Sequence, residues 1–176
     1  MTDDPPQKDH IQVAVRNGVG YARVLGRGSF KVSASVKEYG NALLNSGVKR
    51  LVIDLRDCVG MDSTFMGVTA GLCNRFHKEG NATVEMVNCS DKVKRLMSTL
   101  GLDRLVDVVS GDSPDDSIPE KGELEDLAAK PESPLESAEN MLEAHENLVK
   151  VHSDNEMRFQ DVLDYLREDI QRQRRS

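Results

Sequence analysis

Tryptophan is absent from this chain, and aromatic residues make up only 4% of it. Proteins that hold single-stranded nucleic acid stack bases on aromatic rings, so this composition speaks against that class. An excess of positive charge is also missing. The net charge is −7, which is wrong for a general binder of phosphate backbones. No run of 18 apolar residues occurs, so no transmembrane helix is expected. The opening MTDDPPQKDH is acidic and polar and has no apolar signal-peptide core. Cysteine is scarce and odd in number: Cys58, Cys73 and Cys89, with no CxxC pair. Zinc is therefore not expected, and the thiols read as reduced, small core residues of a cytoplasmic protein.

Charge of one sign is short in one part and abundant in the other. Residues 1–110 carry a net charge of +3, and residues 111–176 carry −10. The asymmetry suggests two parts with different tasks. Residues 1–10 read as a disordered arm. Ile11 to Arg16 alternates apolar and polar as a strand does, and Asn17-Gly18 is a hairpin signal before a returning strand, Val19 to Leu25. Gly26-x-Gly28-Ser29 is read as a turn; without a following Lys-Ser/Thr it is no phosphate-binding loop.

From residue 30 the apolar spacing turns helical, with Ser29 as candidate cap and Gly47 as terminator. Val48 to Leu55 has the continuous apolar run of a strand covered on both faces. A helix is expected from Thr64 to about His77, ending near Gly80, then a strand at Ala82 to Val87. A helix capped by Ser90 and stopped at Gly101 follows, and a last strand at Leu105 to Val109. The order β-β-α-β-α-β-α-β predicts an α/β domain over 11–110: a mixed sheet of four to five strands with helices packed on it.

Residues 111–133 are rich in Ser, Pro, Gly and acid and read as an acidic linker, with one helical turn at Leu124 to Ala129. Ser133, Pro134 and Glu136 then form a helix start of capping-box type, and the amphipathic pattern runs through 134–173. Ser153 and Glu156 repeat the capping spacing inside a polar interruption, so one helix and a helix pair are both compatible. This extension either packs back on the parent domain or serves as a partner-docking or dimerising helix. The opposite charges fit the first reading. Heptad pairs such as Met141/Leu148 and Phe159/Leu166 permit the second, including a homodimer through a short coiled coil.

The stretch that carries function is LVIDLRDCVGMDSTFMGVTAG, residues 51–71. Asp62-Ser63-Thr64 falls where a strand and short turn run into an apolar helix. A helix N-terminus presents unpaired N–H groups and partial positive charge, so a phosphate on Ser63 would be stabilised there. Phosphorylation would add about −1.5 to −2 charges, enough to repel a partner. Capping alone by Asp62 and Ser63 is the structural alternative. His145 and His152 lie seven apart, not at the i, i+4 spacing of helical metal pairs, and read as solvated or packing residues. No Ser-His-Asp, Cys-His or paired-carboxylate pattern stands out, so no enzymatic activity, cofactor or metal is expected.

Asp54-Leu55, Met61-Asp62-Ser63-Thr64 and Gly67 together resemble the signature of the STAS family, the anti-sigma-factor antagonist domains. SDKVKRLMSTLGLDRLVDVV resembles that family's third helix and last strand, and the element order is similar as well. The resemblance implies a STAS-like fold over 11–110 and a non-catalytic switch. Its partners would be a serine kinase that is also the anti-sigma factor, and a phosphatase. It implies Ser63 as phosphoacceptor, with Asp62, Thr64, Phe65 and Met66 at the partner-binding surface. Phe65 stands where the family has Gly, and the first loop reads Gly26-Arg27-Gly28-Ser29-Phe30 rather than the family's Gly-x-Leu-Asp. An unphosphorylated adaptor that uses its C-terminal helix for oligomerisation or docking is the alternative.

Overall fold

The computed structural model describes residues 8–79, 81–109 and 117–176. Strands β1 (His10–Arg16) and β2 (Val19–Gly28) form an antiparallel hairpin. Asn17 and Gly18 make its turn, both with positive φ (50° and 74°), as a two-residue hairpin needs. Next come α1 (Phe30–Asn45), β3 (Arg50–Asp54), β4 (Cys58–Met61), α2 (Ser63–Lys78), β5 (Thr83–Val87) and α3 (Asp91–Thr99). A short 3-10 turn at Leu102–Arg104 leads to β6 (Asp107–Val109), and β7 (Glu125–Asp126) follows. The sheet order is β6-β5-β3-β2-β1-β7, with β4 paired to the end of β2. Pairings β2–β3, β3–β5 and β5–β6 are parallel, so the sheet is mixed.

Two strands exceed the sequence expectation. β4 pairs beside Gly26 and Gly28, where the register shifts, so β2 continues through the expected turn. β7 lies where a helical turn was expected and adds two residues to the outer edge of β1. From residue 117 the expected linker is laid against the sheet. Ile118 is buried in a cluster with Tyr21, Val52 and Val87, with Leu124 packed against it. The expected arm lies outside the described residues as far as residue 7, and so does Gly80.

Period-2 alternation explains how both faces of the sheet are filled. Ala22, Val24, Leu51, Ile53, Val84 and Met86 join the main core with residues of α1, α2 and α3. On the opposite face Arg23 and Asp54 are 3% and 2% exposed and joined by Arg23 Nε–H to Asp54 Oδ2 at 2.9 Å. The Arg56 and Asn88 side chains also donate to Asp54, and Arg23 donates to the Pro119 carbonyl. A buried charge without such partners would be strongly destabilising.

The C-terminal region is a helix pair, α4 (Pro134–Val151) and α5 (Asp154–Arg175). The expected capping box at Ser133 and Glu136 is formed. Ser153 makes no side-chain cap at the second start. The heptad residues Leu148, Phe159, Leu163, Leu166 and Ile170 are all buried within this chain. The pair packs back on the domain: α4 lies along α2, and α5 lies on α4.

Candidate functional site: the Asp62-Ser63 turn

Asp62 stands where two helices begin. Its Oδ1 accepts the Phe65 N–H at 2.9 Å, which caps α2. Its Oδ2 accepts the Phe30 N–H at 2.7 Å, the first residue of α1. One carboxylate thus serves two positive helix ends, a favourable placement for a negative group. Ser29, the expected cap of α1, makes no side-chain cap bond. Its hydroxyl donates instead to Asp9 Oδ2, and the Arg27 N–H donates to Asp9 Oδ1. Burial by itself would raise the Asp9 carboxyl, but these hydrogen bonds and nearby Lys31 and Arg27 outweigh it and hold it below its usual range.

Ser63 is the first residue of the 16-residue α2 and is half-buried. The three residues after it are not at the surface. Thr64, Phe65 and Met66 are 7%, 0% and 4% exposed. Phe65 enters the core beneath Gly28, where an added Cβ would fall 2.7 Å from the ring. This is the physical reason for glycine at 28, and it answers the family departure at position 65: the aromatic is a core plug. In this arrangement Asp62 alone of the expected partner-binding residues reaches the surface, beside the expected acceptor Ser63.

Ser63 has a partner that sequence spacing did not reveal. Its Oγ lies 2.9 Å from His145 Nε2, on α4. His145 Nδ1 lies 2.7 Å from the Met141 carbonyl oxygen. A carbonyl only accepts, so Nδ1 carries a proton. In the neutral ring Nε2 is then the acceptor, and the Ser63 hydroxyl donates to it. His145 is 5% exposed and meets the Phe159 ring edge-on at 5.0 Å. The contact spans 82 positions, and no local motif could signal it.

Two glycines let α4 approach this closely. A Cβ at Gly67 would lie 2.1 Å from the Ala144 carbonyl oxygen and 2.5 Å from its carbon. A Cβ at Gly71 would lie 2.5 Å from Asn147 Nδ2. Asn147 also donates to the Gly67 carbonyl at 3.4 Å. Lys37 of α1 pairs with Glu143, and the Asn155 side chain donates to the Leu100 and Leu148 carbonyls. Among the described residues no group of three His, Cys, Asp or Glu could hold a metal ion, and no helix is long and apolar enough to cross a membrane.

The STAS domain family model matches residues 10–113, more than half of the chain. The chain belongs to the STAS domain family. Solved structures agree on the fold. A Mycobacterium paratuberculosis protein described as an anti-sigma factor antagonist aligns with a TM-score of 0.52 at 19% identity, covering 62% of this chain and 91% of that one. A Thermotoga maritima protein, a candidate anti-sigma factor antagonist, gives 0.53 at 20%, covering 58% and 87%. The unphosphorylated form of the anti-sigma factor antagonist SpoIIAA gives 0.51 at 13%, covering 58% and 90%. No curated protein matches the chain in sequence. The family match ends at residue 113, before the α4–α5 hairpin begins, so His145 lies outside the matched residues.

Proposed function

We propose that this STAS protein is an anti-sigma-factor antagonist that works as a non-catalytic phospho-switch, with Ser63 as the acceptor. The observation that carries this reading is Ser63 at the first position of α2, behind the Asp62 cap, half-exposed at a strand-to-helix turn. A phosphate there meets the positive end of a 16-residue helix. It also stands beside Asp62, so the modified turn carries two adjacent negative groups that a partner would have to desolvate. The partner is a serine kinase that is also the anti-sigma factor, and a phosphatase resets the switch. Asp62 contacts the partner directly. Thr64, Phe65 and Met66 act from beneath by fixing where α2 begins.

The test is phosphorylation by the partner kinase with ATP, and location of the phosphate by mass spectrometry. Phosphate on Ser63, lost in Ser63→Ala, with partner binding abolished in Ser63→Asp, is the expected result. A second reading is a constitutive adaptor, favoured by one observation: the Ser63 hydroxyl is already engaged by His145. Phosphate absent from Ser63, with binding unchanged in Ser63→Asp, would decide for that adaptor.

A further inference from the structure

The α4–α5 hairpin follows the segment laid against the sheet and is seated on the helix that carries Ser63. Three features make the seat specific. Gly67 admits the backbone of α4 at Ala144, Gly71 admits Asn147, and His145 closes over the Ser63 hydroxyl. The seat is apolar at its centre, where Ala144 and Leu148 are 1% and 0% exposed and lie in the same core cluster as Met66 and Val68. The rim is polar, through Lys37–Glu143 and Asn147 to Gly67.

We propose that the hairpin is an intramolecular lid over the phosphoacceptor, such that docking of α4 and phosphorylation of Ser63 exclude one another. This rests on Ser63 being the acceptor. A phosphoryl group on Ser63 Oγ needs space and donors for its oxygens. The ring edge of His145 stands 2.9 Å from that atom. The ring cannot swing aside while Nδ1 is held by Met141 and the ring is packed against Phe159. With the α4 backbone seated directly on Gly67, the ring stays over the Ser63 hydroxyl for as long as α4 is docked. The phosphate is accommodated when α4 lifts. By linkage, the factor by which docked α4 disfavours the phosphorylated state is the factor by which phosphorylation disfavours docking, and a partner that must enclose the Ser63 hydroxyl has to displace α4.

The experiment uses the full chain and no kinase. Phosphoserine is installed at position 63 by codon suppression, and amide exchange is followed by mass spectrometry. Exchange across residues 138–150 rises at least tenfold relative to the unmodified chain, while the β3 amides 51–54 stay equally protected. Unchanged or slower exchange in 138–150 overturns the lid. A second arm does not depend on expressing the phosphorylated chain. Ser63→Cys is alkylated with iodoacetamide alone and together with Gly67→Ala, which pushes α4 away. Alkylation at position 63 is at least tenfold faster in the double variant, and equal rates refute the proposal. Failure of either arm leaves the phosphoacceptor reading standing. Failure of the kinase assay leaves the closure of residue 63 measurable.

Discussion

Replacing Gly67 with alanine tests the docking of the hairpin by the sign of its effect. In a helix interior alanine is better than glycine by about 1 kcal/mol. If α4 were not seated on α2, Gly67→Ala would therefore stabilise the protein by about that amount. The structure demands the opposite. The new Cβ would lie 2.1 Å from the Ala144 oxygen, 2.5 Å from its carbon and 2.8 Å from its Cα. Ordinary carbon contacts begin near ~3.5 Å, so α4 has to withdraw by about 1 Å. The obstacle is backbone, which cannot turn away as a side chain can. Overpacking of this kind costs about 1–3 kcal/mol, and rigid neighbours place it toward the top of that range. Complete undocking is no escape, because exposing Leu148 alone costs about 2 kcal/mol. The expected net effect is a loss of about 1–2 kcal/mol in urea denaturation, with faster amide exchange confined to α4 and α5. A gain of about 1 kcal/mol with unchanged exchange would refute the packing of α4 on α2.

Three further outcomes follow from particular contacts. Gly28→Ala places a Cβ 2.7 Å from the Phe65 ring and should destabilise by about 1–3 kcal/mol; adding Phe65→Leu should recover part of that loss, and additive losses in denaturation would sever the link between the two sites. Asp54→Ala strands the buried Arg23 and should cost about 3–5 kcal/mol, whereas a cost below about 1 kcal/mol would mean that the pair is wet or dispensable. At high pH, burial pushes Cys73 and Tyr39 both up to about 12, from 9.0 and 10.0 in the unfolded chain. Both fold in the neutral form, so their contribution to stability is constant below pH 9, falls as the unfolded chain ionises first, and is gone by pH 12. The slope of Tm against pH between 9 and 11.5 should be shallower in Cys73→Ala, and equal slopes would contradict the burial.

Much of the fold was legible because it is written in local patterns. The hairpin at Asn17-Gly18 needs two positive φ angles that these residues tolerate. The cap at Ser90, the capping box at Ser133 and Glu136 and the stop at Gly101 are chemistry within a few residues, and all are formed. Asp54, Met61-Asp62-Ser63 and Gly67 signal the family in one short run. Short pairings were harder. β4 and β7 are four and two residues long, too short to show a period, and each is defined by its pairing with a strand distant in sequence, β2 and β1. Asp62 was legible as a cap of α2. That it also serves α1 depends on two helix ends meeting 32 residues apart.

The sequence by itself determined the α/β order, the helix start that carries Ser63 and the amphipathic character of the C-terminal extension. Each rests on propensity, period or capping, which act over one or two turns of chain. Only the tertiary structure decided where that extension goes. Its apolar stripe would satisfy a coiled coil, a partner or the parent domain equally well, since hydrophobic burial is non-directional. Shape chose among them. Gly67 and Gly71 leave a groove in α2 that admits a helix backbone, and α4 offers Ala144 and Asn147 at the matching positions. Once α4 is seated there, His145 comes to rest over Ser63, and a residue that looked like packing becomes the cover of the candidate switch.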